Sequence, residues 1–216
     1  LETAVRQVVD KALAVEGDVV DLFSAAGLKK PDISILSEEF LLEVANMQHK
    51  NLALEVLRKI LNDEIKGRAR LNLIQSRTLM EMLENSIKRY HNKVITAAEV
   101  IEELIHLARE IQEKDKEPEQ MGLSAIEYAF YCAVAENQSA RELLARDKLR
   151  ELAVVLFERV KENASIDWTI KESVKAKLKV IVKRTLREYG YPPDMQLLAT
   201  ETVLKQAEMI AAELTG

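Results

Sequence analysis

The sequence predicts an all-α protein, an irregular bundle of about eight to ten helices in one body or two lobes. Three observations predict it. Breakers are scarce, with four Pro and six Gly in 216 residues, while Leu, Ala, Glu, Lys and Ile abound. Apolar residues return every three or four positions along most of the chain. Several of these stretches open on a Ser or Thr followed three residues later by Glu, the spacing of a capping box, and none alternates as a strand would.

Residues 1–30 read as one or two short helices broken near Gly17 and Gly27, and Lys29-Lys30-Pro31-Asp32 as a turn. Ser37 to Met47 reads as a short helix. From Asn51 to about Asn92 runs the longest helical pattern, carried by Leu57, Ile60 and Leu61, then by Leu79, Met82, Leu83, Ile87 and Tyr90; Gly67 is placed to break or kink it. Thr96 and Glu99 cap the next helix, whose stripe is Ala97, Val100, Ile101, Leu104, Ile105, Ala108 and Ile111. Glu110–Gln120 holds no apolar residue after Ile111 and contains Pro118, which makes it the best candidate for a solvated connection. Beyond it, Ser124 with Glu127 and Ser139 with Glu142 have capping-box spacing. Leu149, Leu152, Ala153, Leu156 and Val160 mark one core stripe; Val203, Leu204, Ala207, Ile210, Ala211 and Leu214 mark the last.

Between those stripes lies the most distinctive segment, Ile166–Gln196. Thr169 and Glu172 have capping-box spacing, and Ile170, Val174, Leu178 and Ile181 form an apolar face. Lys171, Lys175, Lys179, Lys183 and Arg187 recur at steps of four and wind as a band up the other side. With Lys177 and Arg184 they make seven cations against one acid, Glu172, in a chain of net charge −5. Gly190 ends this helix in the manner of a C′ residue, and Pro192 forbids its continuation. Three readings of the band stand open: a solvated face, a contact for an acidic protein, and a contact for nucleic acid. Trp168, at the helix entrance, suits packing or an interface anchor. A second basic cluster, Lys66, Arg68 and Arg70, surrounds Gly67, with Arg77, Lys88, Arg89 and Lys93 further along. Few aromatics accompany either cluster, so single-strand stacking is disfavoured.

No P-loop, G-x-S-x-G, C-x-x-C or H-E-x-x-H pattern occurs, and His49, His91 and His106 lack metal-ligand spacing. Pro31-Asp32 with Glu64-Ile65-Lys66 imitates a PD-ExK nuclease motif, but Glu64–Lys66 falls in a helical pattern rather than on a strand. Asp63-Glu64 imitates a helicase acid pair and fails for the same reason. No catalytic residue, metal ligand or cofactor is therefore expected in this chain. The single cysteine, Cys132, lies among apolar residues and reads as an inert buried thiol in a reducing cytoplasm. No apolar run reaches the roughly 18–20 residues of a membrane span. A chain opening on Leu1 inside an amphipathic segment reads as cut from a longer protein.

Five segments, Lys30–Val44, Asn51–Lys93, Thr96–Ile111, Gly122–Asn137 and Ile166–Asp194, resemble in wording, order and spacing the C-terminal helical region of type I restriction endonuclease R subunits. The resemblance implies a prokaryotic, cytoplasmic complex in which the R subunit joins methylase (M) and specificity (S) subunits, moves along double-stranded DNA and cuts it. The ATP and Mg²⁺ it implies belong to motor and nuclease parts whose motifs this chain lacks, so no catalytic residue carries over. The residue pattern divides the chain into 31–112 as a first lobe, 113–122 as a connection and 123–216 as a second lobe, and the resemblance implies that 1–30 is the end of a preceding helical spacer. It also implies a role in docking the motor onto the methylase core. The residues expected to meet a protein or DNA are Lys171, Lys175, Lys179, Lys183, Arg184, Arg187 and Trp168, with Lys66, Arg68 and Arg70. A DNA-guiding role is the alternative. The net charge of −5 favours docking, because dedicated DNA binders are basic overall.

Overall fold

The computed structural model describes residues 36–164 and 171–211. The described residues form nine α-helices and no strand: α1 Glu38–Ala45, α2 Lys50–Arg68, α3 Leu73–His91, α4 Ala97–Gln120, α5 Ala125–Ala135, α6 Gln138–Leu143, α7 Arg146–Asn163, α8 Glu172–Glu188 and α9 Gln196–Met209. The all-helical expectation holds. The chain divides into two compact units, one of Leu1–Asp63 with Met82–Gln112 and one of Glu64–Glu81 with Glu113–Gly216.

In the first unit, Ser37 caps α1 by accepting from Phe40 N at 3.3 Å, and Phe40, Leu41 and Val44 are buried on one side of that helix. Leu54, Leu57, Ile60 and Leu61 of α2 are buried at helical spacing, as are Leu83 and Ile87 of α3. The whole expected stripe of α4 is buried except Ala97, which is half-buried, and Leu107 joins it. The Thr96–Glu99 capping box forms, with Thr96 N donating to Glu99 Oε2 at 2.7 Å and Glu99 N to Thr96 Oγ1 at 3.3 Å. Arg109 donates two 2.9 Å hydrogen bonds to the Glu38 carboxylate, tying α4 to α1.

In the second unit, α5 packs against α7 and α9, and α8 packs against the same two helices. Their shared core includes Phe130, Leu149, Leu152, Leu156, Leu178, Val182, Leu186 and Val203. The Ser124–Glu127 capping box opens α5.

Four local expectations are corrected. The break between α2 and α3 falls at residues 69–72, after Gly67, which sits in the last turn of α2. Asn72 defines it by accepting from Gln75 N at 3.0 Å, as an N-cap does, and a helix start needs such a side chain more than a glycine. The run Glu110–Gln120, expected as a break in the helical pattern, is the end of helix α4, exposed or half-buried apart from Ile111. Its residues are good helix formers, Lys116 pairs with Glu113 at 2.8 Å, and Pro118 falls in the last turn, where its carbonyl accepts from Leu123 N at 2.9 Å. Gly122, at φ 62°, completes that Schellman ending. Ser139 and Glu142 do not cap α6; Asn137 does, accepting from Ala140 N at 3.2 Å and starting the helix two residues earlier. Finally, α8 starts at Glu172 with Lys171 in the N-cap position, so Glu172 is the first helical residue and not the third that a box requires. Residues 1–30, Pro31-Asp32, Trp168, Thr169, Ile170 and Leu214 lie outside the described residues.

Candidate interaction surface

The basic helix α8 is held at both ends and along its inner face. Leu178, Val182, Thr185 and Leu186 are buried, while Val174 and Ile181 are only partly so. The apolar face is thus centred between Leu178 and Val182, slightly round the helix from the expected one. Its C-terminus is a complete Schellman motif: Gly190 N donates to Arg187 O at 3.0 Å and Tyr191 N to Leu186 O at 2.9 Å, with Gly190 at φ 72°. A side chain other than glycine would be strained at that position. The motif turns Tyr191 inward, where it is 1% exposed and its hydroxyl donates to Val134 O at 2.9 Å. Burial pushes the Tyr191 phenol up to about 12. Gln196 Nε2 closes the corner on Tyr191 O at 2.9 Å.

Arg159 of α7 reaches Thr185 Oγ1 at 2.8 Å and Glu188 Oε2 at 2.6 Å. Arg184 also donates to Glu188, at 2.8 Å. Hydrogen bonds from Arg159 and then Arg184 hold the Glu188 carboxyl below its ordinary value. Near the start of the helix, Lys175 lies 3.4 Å from Glu208 of α9 and 4.0 Å from Glu172. Tyr189 donates to Glu151 of α7 at 3.2 Å, and burial first, then this bond, raises its phenol.

These contacts sort the band into two kinds of cation. Lys175 and Arg184 are neutralised by carboxylates of the same unit. Lys177, Lys179, Lys183 and Arg187 are exposed and make no ion pair among the described residues. Lys171 is exposed at the helix entrance.

The second cluster is arranged differently. Arg68 donates to Glu64 Oε1 at 2.8 Å and to both oxygens of Asp115, so it bridges α2 and α4 within the second unit. Asp115 first, and then Glu64, raise the guanidinium further above its ordinary value against the opposing effect of burial. Arg77 pairs with Glu136. Lys66 and Arg70 remain exposed without an ion pair among the described residues. Glu64-Ile65-Lys66, the imitation of a nuclease motif, is a helical ion-pair partner, a buried aliphatic and an exposed lysine.

Sequence reasoning named the cations and missed what holds them. Arg159, Glu188 and Glu208 lie in other stretches of the chain and carry no local pattern. Gln206 was also missed. It is fully buried, accepts from Leu73 N at 2.9 Å and donates to Leu71 O at 2.6 Å, and so pins the α2–α3 turn. The one available signal was a lone Gln inside the apolar stripe Val203–Ile210. Cys132 accepts from Asn72 Nδ2 at 3.3 Å, and burial raises its thiol pKa.

The described residues of the second unit thus present a firmly held cationic helix on a helical core. Residues 1–213 match the family described as type I restriction enzyme HindI endonuclease subunit-like, C-terminal, and the chain belongs to that family. The type I restriction enzyme HindI endonuclease subunit of Haemophilus influenzae is 38% identical over 211 residues, 98% of this chain and 20% of that protein. A putative type I restriction enzyme MjaIXP endonuclease subunit of Methanocaldococcus jannaschii is 35% identical over 198 residues, 88% of this chain and 19% of that protein. The chain therefore spans about a fifth of the length of these relatives. No solved structure matches it. Among the described residues no helix is long and apolar enough to cross a membrane.

Proposed function

We propose that this domain docks a type I restriction R subunit onto the methylase–specificity core of a prokaryotic cytoplasmic complex, through α8. The observation that carries the reading is the set of four exposed cations, Lys177, Lys179, Lys183 and Arg187, unpaired among the described residues, on a helix anchored by Tyr191 and Arg159. Such a helix meets an acidic protein surface with its backbone already fixed, so only the side chains are ordered on binding. On this reading the domain contributes assembly rather than catalysis. ATP and Mg²⁺ act in other parts of the R subunit, on double-stranded DNA that the assembled complex moves and cuts.

A binding titration tests the reading. The 216-residue chain is titrated with purified methylase–specificity complex, and in parallel with duplex DNA, at low and physiological salt. Binding to the complex that weakens with salt but persists at physiological salt, and is lost on charge reversal at Lys179, Lys183 and Arg187, is the expected result. Binding to DNA alone, falling steeply as salt rises, would replace docking by a guiding role along the translocated duplex.

A further inference from the structure

We infer that the outward face of α8 seats one acidic amphipathic helix of the partner protein, an inference that rests on the docking reading and specifies its chemistry. At roughly 100° per residue, Ser173, Ala176, Val180, Lys183 and Arg187 fall along the side of α8 opposite Leu178 and Val182. All five are exposed. Their steps of three and four are those by which one helix meets another along a shared seam. The first part of this line is small or apolar and admits a close approach. Val180, 67% exposed, is the kind of residue that a partner helix covers.

The charges complete the match. Lys177 lies to one side of the Ala176–Val180 line and Lys179 to the other, both exposed and unpaired among the described residues. They stand where the flanking positions of a helix pair carry ions that select the partner. A helix with apolar residues against Ala176 and Val180 and Asp or Glu on both flanks covers the valine and meets Lys177, Lys179, Lys183 and Arg187 with opposite charge. A phosphate backbone would engage these cations and leave Val180 with no apolar partner. The two neutralised cations, Lys175 and Arg184, already have carboxylates in the same unit and do not compete for the partner's acids.

The test uses the 216-residue chain in four forms: unchanged, Val180→Lys, Val180→Ile, and Lys179→Glu with Lys183→Glu and Arg187→Glu. Each is titrated with the methylase–specificity complex at physiological salt and with duplex DNA, and circular dichroism checks that each folds. Val180 is exposed, so neither substitution there disturbs the core. A helix seat predicts that Val180→Lys weakens binding to the complex by about tenfold or more although it adds positive charge. Val180→Ile keeps the affinity, the triple reversal abolishes it, and DNA binding by Val180→Lys holds or rises. If the complex binds Val180→Lys as tightly as the unchanged chain while the triple reversal still abolishes binding, docking stands and the helix seat falls. If the unchanged chain does not bind the complex, the docking reading itself is overturned and the seat goes with it.

Discussion

The basic cluster at residues 66–77, around the 69–72 turn, and the helix at 171–188 look alike in sequence, since both are runs of Lys and Arg spaced along helix. In the fold they part. Arg68 and Arg77 are bound to Glu64, Asp115 and Glu136 and serve as ties between helices. On α8 Lys175 ties to Glu208 of α9, Arg184 pairs with Glu188 of its own helix, and four further cations project with no counter-charge among the described residues. What separates Arg68 and Arg77 from the exposed cations of α8 is the supply of acids opposite them. The α4 tail delivers Asp115 to Arg68, whereas the outward side of α8 faces no such carboxylate among the described residues. A basic run therefore states how much charge is present, and only the packing states how much of it is available.

The sharpest way to break this contrast is to release α8 from its anchor. Tyr191→Ala is expected to cost about 3–5 kcal/mol, by loss of a fully buried ring. Tyr191→Phe, which leaves the Val134 carbonyl without its donor, costs about 1–2 kcal/mol. Chemical denaturation measures both, and equal values for the two would mean that the ring does not fill its site. Next in size, Arg68→Met should destabilise by about 1 kcal/mol, because it removes the cation shared by the partly exposed Glu64 and Asp115. Replacing Lys179, Lys183 and Arg187 together by Ala should change stability by no more than about 0.5 kcal/mol, as exposed, unpaired side chains do. A larger loss in the triple variant than in Arg68→Met would reverse the assignment of the clusters.

Acid titration sharpens the comparison within α8. The folded Glu188 carboxyl is held low by Arg159 and Arg184. Its contribution is thus fully present above the unfolded carboxylate value, about 4.3, and is lost as pH falls through the lower folded value. Glu188→Gln should flatten the acid limb of the unfolding curve in that window and leave stability above pH 6 with a constant offset. A variant whose acid limb coincides in shape with that of the unchanged chain would show that the pair is not formed in solution. The smallest effect is kinetic. Cys132, raised by burial and bonded to Asn72 beside the 69–72 turn, should react slowly with an aromatic disulfide reagent at pH 8. Arg68→Met should speed that reaction and the α8 triple variant should not.

Much of the fold was legible because the signals are local. The stripe Val100–Ile111 reports a buried face by period alone, and the boxes at Thr96 and Ser124 form with the partners that their spacing names. Errors arose where two local signals competed. Asn137 outranked Ser139 as a cap, and the helix propensity of Glu110–Gln120 outweighed its polarity and Pro118. The candidate surface was legible only in part. Lys179 and Lys183 were named and are exposed, but Arg68 was named with them and is an internal tie.

The sequence by itself determined that this chain is helical, that its helices bury particular stripes, and that it carries one strongly cationic helix ending at Gly190. Those properties depend on residues within a turn or two of one another. Tertiary structure alone decided which cations are already neutralised, that Tyr191 anchors the corner at Val134, and that Ala176 and Val180 are left facing outward. Each of these depends on atoms that lie far apart in sequence, such as Lys175 and Glu208 or Arg159 and Glu188, and electrostatic pairing is settled by distance in space, not along the chain.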